Sequence, residues 1–128
     1  RMIKEEDRLS KEIIGAAIEV HRHLGPGMLE SACEKCLCKE LEIRDIVFER
    51  QKSLAVVYKR ITLDCGYKLD IVVEGKVILE LKSVHKIELI HEARLLTYLK
   101  IADLKLGILI NFNVPILKDG IKRIVNNL

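Results

Sequence analysis

The chain has 128 residues, of which 49% are hydrophobic and 32% charged, so it is long enough for one buried core and has the composition of a soluble globular protein. The formal net charge of +3 permits a polyanionic partner without indicating one, and the 4% aromatic content without tryptophan argues against extensive base-stacking platforms. No apolar run reaches the length of a membrane span, and residues 1–11 lack the apolar core of a signal peptide, so we expect a cytoplasmic protein that does not bind membranes.

The first third of the chain predicts two helices separated by a rigid break. Ser10 is a suitable cap for a helix that ends at Leu24, because Gly25 and Pro26 follow directly. A second helix is expected from Met28 to about Arg44. The first helix should bury an apolar stripe made of Ile13, Ile14, Ala17, Ile18 and Leu24. Glu30 falls in the first turn of the second helix, where a favourable interaction with the helix dipole alone could explain a carboxylate.

Four cysteines raise the question of a zinc site. In a helix Cys33 and Cys36 share a face, whereas Cys38 points elsewhere. Zinc sites usually draw ligands from two separate segments, and here the second segment would offer only Cys65. We therefore favour small buried side chains over a structural metal.

From Ile46 to Tyr58 the pattern predicts β-structure, followed by a turn at Lys59-Arg60 and a strand from Ile61 to Val73. Gly66 inside that strand predicts a bulge or a close backbone approach. The basic side chains of the region are either phosphate contacts or an ordinary solvated edge: Lys52, Lys59, Arg60 and Lys68.

Residues 67–84, YKLDIVVEGKVILELKSV, predict a β-hairpin with ionisable residues inside its apolar strands. Glu80 and Lys82 share one face of the second strand, because side chains alternate. A two-residue turn would send Asp70 to the opposite face. We predict the three-residue loop Val73-Glu74-Gly75, which pairs Val72 with Lys76 and brings Asp70, Glu80 and Lys82 together.

Two carboxylates that converge beside a lysine predict a site for a hard divalent cation such as Mg²⁺, which prefers oxygen ligands. Lys82 would then orient or help to deprotonate an attacking water, or neutralise charge at phosphorus. The alternative is an internal salt bridge between Lys82 and Asp70 or Glu80, and the spacing alone does not decide between the two.

After the hairpin, a helix is predicted from Glu88 to Ala102, with its buried side at Leu89, Ala93, Leu96 and Leu99 or Lys100. Arg94 and Tyr98 are one turn apart on this helix and are therefore neighbours. Leu106 to Phe112 predicts a central strand that the helix reaches as a crossover. Residues 120–126 favour an edge strand over a last helical turn.

Taken together, the pattern Asp70-(x)9-Glu80-Leu81-Lys82 resembles the signature of the PD-(D/E)XK nuclease superfamily. The chain is more closely similar to the small GxxExxY family within it, from about Ile13 to Val125. The resemblance is carried, in this order, by IIGAAIEVHRHLGPGMLES, LDIVVEGKVILELKSV, HEARLLTYLK and LGILINFNVPILKDGIKRIVN. The naming motif begins at Gly27 and includes Glu30, but Cys33 stands where tyrosine is expected.

This resemblance implies a metal-dependent nuclease that acts on nucleic acid, with DNA as the expected substrate. Asp70, Glu80 and the Leu81 carbonyl would bind Mg²⁺ or Mn²⁺, Glu30 would assist directly or through water, and Lys82 would position the nucleophile. Related nucleases place glutamine and tyrosine beside the active site with the spacing of Arg94 and Tyr98, which implies substrate-binding roles for these two. The arginine would contact a substrate phosphate, or it would pair with the carboxylates and quench them.

The expected fold is α/β, a single domain over residues 1–128 with a mixed central sheet flanked by helices in the order ααβββαβ. Arg1, which precedes Met2, is interpreted as an addition from cloning. The alternative function, motivated by Arg94 and Cys33, is a nucleic-acid-binding or protein-interaction module whose catalytic site has decayed. A homodimer is a further hypothesis, because one small domain offers little area for gripping a duplex.

Overall fold

The computed structural model describes residues 4–128, so the interpretation of Arg1 lies outside it. Its helices are α1 (Glu5–Leu24), α2 (Glu30–Ile43) and α3 (Leu89–Ala102). Its strands are β1 (Phe48–Ser53), β2 (Val56–Tyr58), β3 (Ile61–Leu63), β4 (Lys68–Val73), β5 (Val77–Lys82), β6 (Leu106–Asn111) and β7 (Ile121–Val125), with a short 3₁₀ turn at Leu117–Gly120 before the last strand.

The centre of the fold is a five-stranded mixed sheet in the order β1-β4-β5-β6-β7. Strands β5 and β6 are parallel and are joined by α3 as a crossover, whereas the other neighbours are antiparallel. Helices α1 and α2 pack with one face of the sheet in the larger hydrophobic cluster, and α3 covers the other face. The predicted α/β fold with a mixed sheet flanked by helices is therefore confirmed.

Helix α1 begins earlier than predicted. Ser10 is not the N-cap of this helix but a buried residue in its second turn. The helix starts at Glu5, with Lys4 at the N-cap position. Three acidic residues, Glu5, Glu6 and Asp7, occupy the first turn and favour a helix start there through the helix dipole. The predicted end is confirmed, since Gly25 adopts a positive φ of 71° and donates its N–H to the His21 carbonyl.

The hairpin β4–β5 has a register that differs from the prediction by two residues. Val73 pairs with Val77 and Ile71 with Leu79, so the loop is Glu74-Gly75-Lys76. Glu74 and Gly75 both have positive φ, as in a type I′ turn, and the Lys76 N–H donates to the Val73 carbonyl. A shift by two residues leaves every side chain on the same face of the sheet. Asp70, Glu80 and Lys82 therefore share one face, as predicted, although the predicted register is wrong.

The β-region before this hairpin contains a separate two-stranded unit. Strands β2 and β3 form a two-stranded sheet of their own, and the turn predicted at Lys59-Arg60 is confirmed, with positive φ at both residues. Gly66 does not form a bulge in one long strand but lies between β3 and β4. We call residues 54–67 the arm, and the Leu54 N–H closes its base by donating to the Tyr67 carbonyl.

The predicted buried side of helix α3 is confirmed at Leu99 and wrong at Leu89 and Ala93. Leu95 and Leu99 are fully buried against the sheet, whereas Leu89 is 81% exposed and Ala93 is also exposed. Apolar residues surround much of this helix, so periodicity does not select one face. The contact with the sheet is made possible by Gly107 in β6, because a Cβ there would lie 2.8 Å from Leu95 side-chain atoms.

The sequence predicts an edge strand in residues 120–126 and no membrane-spanning segment. Residues 121–125 form an antiparallel edge strand beside β6, as expected. Within residues 4–128, the structure has no helix that is both long and apolar enough to cross a membrane.

The contact between Gly107 and Leu95 predicts a coupled pair of substitutions. Gly107→Ala should lower the free energy of unfolding by about 1–3 kcal/mol through overpacking, and Leu95→Ala by about 2–5 kcal/mol through a cavity. The double variant should lose less than the sum, because the added methyl group enters the space that leucine vacates. Urea denaturation of the four proteins measures this coupling, and strictly additive losses would contradict the proposed contact.

Candidate active site

The candidate site forms where β4 and β5 stop pairing. Their last pair is Ile71 with Leu79, and the same register continued by one residue would set Asp70 opposite Glu80. There the Asp70 carboxylate accepts the Leu81 backbone N–H at 2.9 Å. The Asp70 side chain of β4 thus takes the place of a backbone acceptor for the Leu81 N–H of β5, just beyond the last paired residues. The carboxylates of Asp70 and Glu80 lie together where the two strands separate.

Glu80 is the most unusual residue of this site. It is only 8% exposed, and its Oε1 atom is buried without a hydrogen-bond partner among residues 4–128. Burial is the main reason why the pKa of Glu80 is raised to about 7, and the nearby charge of Asp70 adds to the shift. Lys82, the Asp70 backbone N–H and Arg94 act in the opposite direction. The site thus holds a carboxylate that lacks an adequate counter-charge.

Asp70 shows the same conflict in a milder form. Its pKa is raised, first by burial and further by the charges of Glu34 and Glu30. The Leu81 N–H and the charge of Lys82 offset part of this shift. Two carboxylates with raised pKa values at one point of the sheet indicate a locally negative, partly dehydrated site.

Lys82 is half-buried and follows Glu80 by two residues on the same strand face. None of the ion pairs that join residues 4–128 within 4.0 Å connects Lys82 to Asp70 or Glu80. The internal salt bridge that the sequence left open is therefore not formed. The ammonium group influences both carboxylates from a greater distance and is not consumed by a direct pair.

Glu30 reaches the carboxyl end of β5 from the first position of α2. Its Oε1 atom accepts the Ser83 backbone N–H at 3.0 Å, and the Ser83 hydroxyl donates to the Met28 carbonyl at 2.8 Å. The backbone N–H groups of Leu81 and Ser83 thus hold Asp70 and Glu30 respectively. In the part of the chain that the structure describes, however, no three His, Cys, Asp or Glu side chains are placed so that they could jointly hold a metal ion.

Glu34 is a buried carboxylate near the site that the sequence did not single out. It is 6% exposed, and its two oxygens accept hydrogen bonds from Arg50 Nε and, at 2.8 Å, from Gln51 Nε2. Gln51 has a φ of 51°, a left-handed conformation that is uncommon for a non-glycine residue and interrupts the pairing of β1 with β4 beside Asp70. The available signal was the spacing of four residues from Glu30, which puts both side chains on one helix face.

The segment after Lys82 is tied to β6 by a buried asparagine. Asn111 is 1% exposed, donates its amide to the Val84 carbonyl at 2.9 Å and accepts the Val84 N–H at 3.1 Å. The Lys82 carbonyl also accepts the Phe112 N–H at 3.0 Å. These bonds fix the end of β5, and with it the Ser83 N–H that holds Glu30.

Arg94 and Tyr98 lie on α3 and influence the carboxylates from that side. The positive charge of Arg94 lowers the pKa of Glu80, and the pKa of Tyr98 is raised, first by burial and then by the charge of Glu80. No ion pair within residues 4–128 joins Arg94 to either carboxylate. Tyr67, at the base of the arm, meets Tyr98 edge to face at 6.3 Å between ring centroids, a pair that the sequence did not reveal.

The cysteines belong to the core and the surface. Cys33 is 1% exposed and packs with α1 and the sheet, and Cys38 is also buried, so burial raises the pKa of both thiols. All four cysteines are free, and Cys65 is exposed. Cys33, which stands where the GxxExxY family that the chain resembles has a tyrosine, is therefore a packing residue.

Two carboxylates and one backbone carbonyl, without a third acidic side chain placed to join them in residues 4–128, are the ligands that the site offers to a divalent cation. A buried carboxylate oxygen without a donor, a second carboxylate with a raised pKa and the backbone of Leu81 just beyond the last strand pair supply oxygen atoms of the kind that Mg²⁺ and Mn²⁺ prefer. A cation would supply the positive charge that Lys82 and Arg94 provide only from a distance.

Comparison with protein families identifies the superfamily of the chain. A sequence profile described as the PD-(D/E)XK nuclease superfamily matches residues 7–124, nearly the whole chain. No curated protein and no solved structure matches significantly.

The raised pKa of Glu80 predicts a pH-dependent penalty in metal-free buffer. The folded-state pKa of about 7 exceeds the ordinary value of 4.5, so the neutral form stabilises the fold below about pH 4.5 and this contribution is lost as pH rises through 7. Relative to Glu80→Gln, the wild type should lose roughly 3 kcal/mol over that range.

Thermal unfolding of both proteins in EDTA from pH 4 to 8 measures this difference. Glu74→Gln, at the exposed turn of the hairpin, is the matched control for the change from carboxylate to amide. Parallel curves for the wild type and Glu80→Gln across the whole range would contradict the assignment of a destabilising buried charge.

Proposed function

Because the chain belongs to the PD-(D/E)XK nuclease superfamily, we propose that it is a divalent-metal-dependent nuclease that hydrolyses phosphodiester bonds in DNA. The observation that carries the proposal is the buried Oε1 atom of Glu80 beside Asp70, which has no hydrogen-bond donor among the described residues. Burying a carboxylate oxygen without a hydrogen-bond donor costs free energy, and a purely structural role would not offset that cost. The sequence motif around Gly27 and Glu30 supports the finer assignment to the GxxExxY family.

The proposed cation is Mg²⁺ or Mn²⁺, since nucleases of this superfamily generally use divalent metals. Asp70, Glu80 and the Leu81 carbonyl would hold it, and Glu30 would join through water, because Glu30 is already engaged by the Ser83 N–H. When bound, the ion would supply positive charge to the scissile phosphate and make a bound water more acidic.

The side chains around the carboxylates have separate roles in this proposal. Lys82 lies on the face of Glu80 and has no ion-pair partner among residues 4–128, so its ammonium group would orient the attacking water or neutralise charge that develops at phosphorus. Arg94 is exposed on α3 and would contact a neighbouring phosphate of the same strand. Glu34 would act as a positioning residue, because it accepts hydrogen bonds from Arg50 and Gln51 beside β4.

One observation favours the second candidate function, a decayed nucleic-acid-binding module. The permanent positive charge of Arg94 lowers the pKa of Glu80. This charge would replace part of the positive charge that a bound cation supplies in an active nuclease. In that case the protein would bind nucleic acid and leave it intact.

A cleavage assay separates the two functions. Purified wild type in Mg²⁺ or Mn²⁺ should cleave labelled single- or double-stranded DNA, and Glu80→Ala prepared in parallel should not. Binding without cleavage by the wild type would support the decayed module. Equal cleavage by both preparations would indicate a contaminant and contradict the enzyme assignment.

Lys82→Met should separate turnover from metal binding. The substitution should lower kcat by about 10²–10⁴-fold, because the methionine keeps the aliphatic bulk and removes the ammonium group. Calorimetric titration with Mn²⁺ should give nearly unchanged affinity. Lys86→Met, an exposed position four residues later, is the control, and a loss of metal affinity in Lys82→Met would instead identify a structural lysine.

A further inference from the structure

A cleft lies between the arm and the outer face of α3. Its volume is about 460 Å³, within the range of roughly 300–1,000 Å³ that is usual for ligand pockets. The arm supplies one wall, and four turns of α3 supply the other. The lining residues that matter here are Leu63, Tyr67, Ile90, Arg94, Tyr98 and Ile101.

The cleft contains an aromatic pair. Tyr67 on the arm and Tyr98 on α3 meet at 6.3 Å with an interplanar angle of 60°. Only three tyrosines occur in the chain, and two of them are at this one place. An edge-to-face pair occupies a single ring face, so further ring surface is left for a flat apolar ligand. The third tyrosine, Tyr58, is elsewhere on the arm, with the Lys59 ammonium 5.3 Å from its ring centroid.

The cleft and the carboxylate site are linked by two residues of α3. Arg94 and Tyr98 line the cleft, and the same two residues are coupled electrostatically to Glu80. A ligand that fills the cleft would therefore have its charged part close to the proposed catalytic centre. Arg94 is exposed on α3, whereas Tyr98 is half-buried and packs with its inner side against the cluster that contains Leu95 and Leu99, so the cleft borders the core at this ring.

The charges around the cleft suit an anionic ligand. Arg94 has no ion-pair partner within residues 4–128, and the arm carries Lys59 and Arg60 at its tip. Lys68 follows the arm directly and donates to the Ser53 hydroxyl at 3.1 Å. Apolar and aromatic walls with a free guanidinium group at one side match the two parts of a nucleotide, a base and its phosphate.

We propose that this cleft receives one unpaired nucleobase of a single-stranded nucleic acid, stacked on one ring of the Tyr67–Tyr98 pair and in edge contact with the other, with an adjacent phosphate on Arg94. The inference rests on the proposed nuclease function and narrows it, since a base inside an undistorted duplex is stacked and paired and has no free face to offer. The substrate class is therefore single-stranded nucleic acid, or the unpaired part of a duplex.

Fluorescence anisotropy in EDTA tests the proposal without cleavage. The probe is a fluorescein-labelled oligothymidylate of about 12 nucleotides, compared with the same strand annealed to its complement. The single strand should bind about tenfold or more tightly than the duplex, and Tyr98→Leu or Tyr67→Leu should weaken single-strand binding by about 5- to 150-fold. Leucine keeps apolar bulk and removes the ring, and Tyr98→Phe should restore binding. Tyr58→Leu is the matched control and should bind like the wild type.

A second measurement isolates the phosphate contact. Arg94→Gln should reduce the slope of log K against log salt concentration by about 0.7, the value for one phosphate of a single strand. Arg22→Gln, on α1 across the sheet, should leave the slope unchanged. Equal affinity for single strand and duplex, or equal effects of the Tyr58 and Tyr98 changes, would overturn the proposal.

Light scattering tests the other occupant, a second copy of this chain. A dimer that dissociates in Ile101→Lys would mean that the cleft is a self-interface and would overturn the nucleobase assignment. A monomer in both proteins supports it. Because binding is measured without turnover, an absence of cleavage in Mg²⁺ affects only the proposed nuclease function, whereas cleavage with unaltered binding by Tyr98→Leu overturns only the inference about the cleft.

Discussion

The structure depends on keeping two carboxylates together at a point where water is largely excluded. Asp70 and Glu80 repel each other, and burial adds to the cost of ionising both. The sheet accommodates them by separating β4 from β5 at this place, so that backbone N–H groups normally used between strands become partners for carboxylates. A local loss of pairing thus creates both the site and the means of orienting it.

The parts of the site that the sequence predicted are those set by alternation and by charge inside apolar strands. Asp70, Glu80 and Lys82 could be assigned to one face because any even shift of register gives the same answer. The register itself could not be predicted, since Glu74 adopts a positive φ that its type does not suggest and Lys76 stays outside the ladder.

Other features depend on contacts that a single sequence does not display. The burial of Glu34 follows from Arg50 and Gln51, which lie on a different element and come near only after β1 pairs with β4. The buried side of α3 is selected by the space above Gly107 and not by the pattern of the helix itself. Ser10 was misassigned because its residue type suits a cap, while the acidic residues before it begin the helix. In each case tertiary packing overrides a local preference.

The hydrogen bond from Leu54 to Tyr67 makes the chain leave the sheet and return to it at nearly the same point. The residues between these two anchors can therefore change in number or kind with little effect on the strands that carry the carboxylates, since doubling the length of a flexible excursion costs only about 0.6 kcal/mol. Selection can consequently act on the wall of the cleft and on the carboxylate site as separate targets. The same scaffold could acquire new ligand preferences by exchanging one short insert, with its chemistry left in place.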